Sequence, residues 1–187
     1  VYPFAKRRYQ FKNFKKIYYK KIRAIAEIND YYLINNLILR NNEQVICQID
    51  HCLFGEKFIY VIKDRYYRGA IKGDKEDNIW IFYDKKGKTF EMENPMKVNE
   101  LRVEKLSLMT QIDSSFFISI VVINDDAIVK NMENMSSNDS YIVSRKKLPK
   151  LIKSIESRDV KKIDEKQLNF AVQDISRLYG SQVEQDE

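Results

Sequence analysis

Residues 116–123, FFISIVVI, are apolar at every position except Ser119, and this continuity narrows the folds open to the chain. A strand with one solvated face alternates apolar and polar side chains; one without alternation is buried on both faces, as happens when helices cover both sides of a mixed or parallel sheet. The run is far shorter than the roughly 20 residues a membrane-spanning helix needs, and nothing else in the sequence approaches that length. A buried strand within residues 115–124 therefore predicts a core with helical layers above and below it.

The neighbouring segments supply those layers. Residues 12–28 place Phe14, Ile17, Tyr18, Ile22, Ile25 and Ala26 three and four apart, the spacing of an amphipathic helix. Strand-like runs follow at 31–39, 44–54, 58–67 and 78–83, separated by Asn41-Asn42, Gly55-Glu56 and Gly73-Asp74 turn signals. Residues 84–88 (DKKGK) read as a hairpin tip, with 89–92 returning from it. Asn94-Pro95 opens a second helix expected to reach 109, because Pro is tolerated in a first helical turn. A short strand at 141–143, a basic helix at 147–157 and a helix at 165–179 stopped by Gly180 complete the pattern, with 131–140 a polar loop and 181–187 a frayed acidic tail. The expected fold is an α/β sandwich with a mixed, largely antiparallel central sheet flanked by helices. It is divided into an arm and helix (1–30), an α/β domain (31–157) and a C-terminal helix with its tail (158–187).

Charge is unevenly placed. The formal net charge is +6, yet the first 23 residues carry Lys6, Arg7, Arg8, Lys12, Lys15, Lys16, Lys20, Lys21 and Arg23 and no acid. Tyr2, Phe4, Tyr9, Phe11, Phe14, Tyr18 and Tyr19 are interleaved with them. Such a mixture suits a helix with one packed and one solvated face, a phosphate-gripping and base-stacking arm, or a segment lying on an anionic membrane. The lysines of the later helix (Lys146, Lys147, Lys150, Lys153) read as a solvated face. Cys47 and Cys52 stand beside the single histidine, His51. That set is too small for a four-ligand zinc site, and two cysteines suit a reducing cytoplasm.

Four segments taken in order carry a resemblance. "YYLINNLIL", "QIDHCLF", "FIYVIKDRYYRGAIKGD" and "NIWIFYDKKGKTFEMENPMKVNE" together resemble the nuclease-related domain, a bacterial branch of the PD-(D/E)xK, restriction-endonuclease-like superfamily. The likeness covers residues 28–123 and rests on Gln48-Ile49-Asp50-His51, Gly69, Trp80 and Asn94-Pro95. It implies that Asp50, at a strand end, shares Mg²⁺ with a Glu on the next strand, while a Lys two residues beyond the Glu positions the attacking water. Magnesium takes hard oxygen ligands, and the bound metal acidifies water and neutralises charge on the scissile phosphate.

At this place relatives read like "FVIEVKNYSG", whereas the chain reads "YVIKDRYYRG". Aligned on Gly69, Lys63 stands where the metal-binding Glu belongs and Arg65 where the Lys belongs. Two further polar positions differ: the first helix carries Phe14-Lys15-Lys16 where the resemblance calls for a Glu, and Val98 stands where a Gln follows Asn-Pro. A lysine ammonium against Asp50 takes over the electrostatic role of a metal, and Arg65 makes a poor water-positioning base but a good phosphate clamp. Asp64 lies between these two on the strand and points to the other face unless a bulge turns it. His51 is expected to be a structural hydrogen-bond partner rather than a base.

Three readings follow. In the leading one the domain keeps the fold, binds no metal cofactor, and grips nucleic acid, DNA first, or an assembly that handles it. Its basic cleft would comprise Lys63, Arg65, Arg68 and Lys72, with Lys97 and Arg102 nearby and Lys15, Lys16 and Lys20 on the arm. In the second, Asp50 and Asp64 form a Mg²⁺-dependent endonuclease site. In the third the arm, residues 2–23, lies on the cytoplasmic face of a membrane below an anchor preceding Val1.

Overall fold

The structure, a computed structural model, describes residues 2–41, 44–130 and 136–183, with side chains for 8–40, 44–130 and 136–177. Expectations for the side chains of Tyr2, Phe4, Lys6 and Arg7, for the first half of the 131–140 loop and for the last residues of the tail lie outside these.

Helix α1 (Tyr2–Asn29) starts well before residue 12, because no Gly and no Pro interrupts residues 4–29. It ends with Asp30 in the left-handed region at φ 56° and the Tyr31 N–H donating to the Ala26 carbonyl at 2.9 Å, a Schellman-type stop. Strands β1 (Tyr32–Asn41), β2 (Gln44–Phe54) and β3 (Ile59–Asp64) follow as an antiparallel meander. The third strand ends at Asp64 rather than at residue 67. There the Asn124 side chain brackets Tyr67, accepting from its N–H at 2.7 Å and donating to its carbonyl at 2.9 Å, which draws the chain off the ladder.

Beyond that turn, β4 (Gly69–Lys72), β5 (Ile79–Asp84) and β6 (Thr89–Glu93) precede helix α2 (Pro95–Thr110). Strand β7 (Phe117–Ile123) is buried at all seven positions, as continuous apolarity requires, and a 3-10 turn at Ser114–Phe116 leads into it. Strands β8 (Ile128–Lys130) and β9 (Ser140–Ser144) then lead to helices α3 (Leu148–Glu156) and α4 (Glu165–Val183), the last of which runs through Gly180. The short strands β4 and β8 were not expected. Each is three or four residues long and shows no clear alternation.

The main sheet has the order β1-β2-β3-β7-β9, antiparallel on the β1 side and parallel from β3 onwards. A second sheet, β6-β5-β4-β8, is also mixed. Helices α1 and α3 cover one face of the main sheet through Tyr18, Ile22, Ile25, Leu148, Ile152 and Ile155. Helices α2 and α4 cover the other through Leu106, Ala171 and Ile175. Ile71 and Trp80 of the second sheet pack with Met96 against Val121, Ile123 and Ile142. This is the α/β sandwich the sequence implied, its central strand covered on both sides.

Candidate functional site

Midway along β2, where its ladder with β3 ends at His51↔Ile62, the regular alternation of side chains breaks. Cys52 and Ile34 lie in the core under α2 and α4, yet so do Ile49 and Leu37, although each pair is an odd number of residues from the other. The switch comes from Asn36, in the left-handed region at φ 55°, between the pairs Asn35↔His51 and Leu37↔Ile49. Asparagine tolerates that backbone where most residues do not. Asp50 sits opposite the irregularity, so its carboxylate reaches the α1 side of the sheet without losing the company of β3.

Asp50 is 2 % exposed, and both of its oxygens are filled. Lys63 Nζ lies 3.1 Å from Oδ1 and 3.0 Å from Oδ2. Lys15 Nζ, from α1, donates to Oδ1 at 2.9 Å, and the Asp64 backbone N–H donates to Oδ2 at 2.9 Å. Burial alone would raise the Asp50 carboxyl, but the Lys15 ammonium, the Asp64 N–H and the Lys63 ammonium more than offset it, and the group lies below the ordinary carboxylate range. Lys63 is itself pushed down, first by burial and then by neighbouring Arg102 and Lys15, against the upward pull of Asp50.

Asp64 faces His51. Its Oδ2 lies 3.0 Å from Nε2 of the ring, whose Nδ1 lies 2.6 Å from Asn35 Oδ1. Tyr19 stacks on the imidazole at 6.5 Å between centroids. His51 thus serves as a hydrogen-bonded strut between strands. Asp50, His51 and Asp64 line a cleft of about 650 Å³ walled by Lys15, Lys16 and Asn35. β3 itself is regular here, pairing Lys63↔Val121 and Asp64↔Val122. Asp64 therefore faces this cleft by ordinary alternation with Tyr60 and Ile62, without a bulge of its own strand, and it is Asp50 that the irregularity at Asn36 turns towards it.

The other basic positions separate into three places. Arg65 and Arg102 share the α2 side with Lys63: burial and then the Arg65 guanidinium lower Arg102, whose Nε–H donates to the Gln48 carbonyl at 2.9 Å. Arg68 instead lies over the Phe11 ring at 5.1 Å, and Lys72 projects from the exposed end of β4. Lys97 donates to the Glu76 carbonyl and, at 3.0 Å, to Asn78 Oδ1. The single basic cleft expected of Lys63, Arg65, Arg68 and Lys72, with Lys97 and Arg102 nearby, is not what the structure brings together: Lys63, Arg65 and Arg102 gather on the α2 side, and none of them lines the cleft at Asp50, His51 and Asp64. Lys16 lines the cleft and Lys20 is exposed one turn along α1.

Sequence reading missed Lys15 as a partner of Asp50, and Asn35, Asn36 and Tyr19 as parts of the cleft. The signal for the asparagines was present: a polar pair in the middle of "LINNLIL" marks a place where a buried strand departs from regular pairing.

Magnesium requires oxygen ligands at about 2.1 Å in octahedral array. Asp50 gives its oxygens to two ammonium groups and a backbone N–H, the next strand brings Lys63 in place of a carboxylate, and among the described residues no three His, Cys, Asp or Glu side chains gather to hold an ion. The residues present do not fit a magnesium centre.

A mixed sheet covered on both faces, with Asp50 where the β2–β3 ladder ends, is consistent with a nuclease-like α/β fold. The profile of the nuclease-related domain matches residues 12–124, and the chain belongs to that family. No curated protein and no solved structure was found to match it.

Proposed function

We propose that this nuclease-related domain has lost metal-dependent cleavage and acts by binding nucleic acid. One observation carries the reading: Asp50, the acid on which the family chemistry would turn, is clamped between Lys63 and Lys15 at 3.0 and 2.9 Å. A cation entering there would face two ammonium groups across one carboxylate. What remains is a surplus of positive charge. Lys63, Arg65 and Arg102 gather on the α2 side, and Lys15 and Lys16 line the cleft on the α1 side, an arrangement suited to backbone phosphates and indifferent to sequence.

The test pairs isothermal titration of Mg²⁺ and Mn²⁺ with a plasmid-nicking assay and an anisotropy assay using a labelled DNA oligonucleotide. The expected result is no metal heat, no nicking, and binding that weakens with salt and with Arg65→Ala. Nicking abolished by Asp50→Ala or by Asp64→Asn would establish an active endonuclease and overturn the proposal.

A further inference from the structure

The outward side of α1 carries Arg8, Lys12, Lys16 and Lys20, each four residues from the last and all exposed. At 1.5 Å per residue the row extends about 18 Å. No acid falls within it; the first on the helix is Glu27, which pairs with Arg23 at 2.7 Å. Tyr9 stands beside the row, 62 % exposed. The row also runs into the cleft, since Lys16 belongs to both. Inside, beyond Lys16, lie the Tyr19 ring, the amides of Asn35 and Asn36, and Asp64, whose Oδ1 is buried without a hydrogen-bond partner.

We infer that α1 is a track for single-stranded nucleic acid, its phosphates running along Arg8, Lys12, Lys16 and Lys20 and one unpaired base turned into the cleft beside Tyr19. This rests on the nucleic-acid-binding reading above and specifies its ligand. A charged row with an aromatic at its side is the recurring device for gripping single strands. The polar edge of an unpaired base is free to meet asparagine amides and an unmet carboxylate oxygen, whereas a base within a duplex cannot enter a cleft. A membrane is the poorer complement. A helix lying in a bilayer interface presents its apolar face to lipid, but Tyr18, Ile22, Ile25 and Ala26 are buried in the domain core.

Fluorescence anisotropy of the full chain with a labelled oligonucleotide, free or annealed to its complement, decides the matter. Tighter binding of the single strand is expected, with a slope of log K against log salt of about −3 from four phosphate contacts. The exposed triple variant Lys12→Glu/Lys16→Glu/Lys20→Glu should lower that slope by about 2 and leave the melting temperature unchanged. Tyr19→Leu should weaken single-strand binding about tenfold, with Tyr19→Phe close to wild type. Preference for the duplex overturns the track. Binding lost in Arg65→Ala but indifferent to the triple variant overturns it too, while leaving the proposed function standing. Absence of nucleic-acid binding together with triple-sensitive sedimentation on phosphatidylserine vesicles overturns both.

Discussion

Asp50 and Lys63 are 2 % and 8 % exposed, and Lys63 finds its counter-charge in Asp50, which Lys15 also serves. Asp50→Asn leaves a buried ammonium without its carboxylate and should cost about 3–5 kcal/mol in urea unfolding. Lys63→Met is expected to cost less, because Lys15 and the Asp64 N–H still serve the carboxylate. The double variant should cost less than the sum, the signature of a coupled pair. The pH dependence follows from direction. A carboxyl held below its ordinary value stabilises the fold above the unfolded pKa, near 4, and that stability is lost as pH falls through the folded value. Chemical denaturation across acid pH should show this limb shrinking in Lys63→Met. Lys63 acts oppositely: its lowered pKa makes the protonated form costly, so stability is gained as pH rises between its folded and unfolded values. At this scale the exchange of Glu for Lys was legible in "VIKDRYYRG", whereas the second ammonium on Asp50 was not.

Helix α2 depends on one side chain at its start. Asn94 Oδ1 accepts from the Met96 N–H at 2.9 Å, and Nδ2 donates to the carbonyls of Lys75 and Asp77 at 2.9 and 2.8 Å. The residue therefore caps the helix and ties it to the turn before β5. Asn94→Ala should cost about 2 kcal/mol, the upper end of the range for a lost cap. Asn94→Asp should fail to rescue it, because a carboxylate would then face two carbonyl oxygens; thermal unfolding of the pair checks both. Gly69 is constrained at β4, where a Cβ would stand 1.9 Å from the Tyr83 carbonyl oxygen. Gly69→Ala should lower stability by about 1–3 kcal/mol through displacement of the β4–β5 pair. Asn94-Pro95 announced its helix correctly. The short strands β4 and β8 escaped notice because their pairing depends on partners elsewhere in the chain, β5 for one and β4 for the other.

The whole molecule extends beyond the residues that carry the family likeness. The matched region ends at residue 124, yet Ala171 and Ile175 of α4 share a core with Leu37, Leu39 and Ile49. A chain ending at residue 164 would leave that apolar surface in water. Its expected behaviour is a lower urea midpoint and dye binding typical of exposed core, measured with 8-anilinonaphthalene sulfonate. Ile175→Ala should cost about 2–5 kcal/mol. Leu108→Ala, at a position 79 % exposed, should change stability by less than about 0.5 kcal/mol.

By itself the sequence determined the layered α/β core, because an unbroken apolar strand has no stable place except between two coverings. It also indicated, through the family resemblance aligned on Gly69, that a lysine stands where the partner carboxylate of Asp50 is expected. Only the tertiary structure decided that Lys15, 35 residues away in the chain, closes on the same carboxylate. The tertiary structure likewise decided that Asn36 reverses the facing of β1, and that Arg68 and Lys97 spend themselves elsewhere. These outcomes depend on how a helix docks across a sheet and where a strand breaks step. Long-range packing settles both, and no local pattern of residues records it.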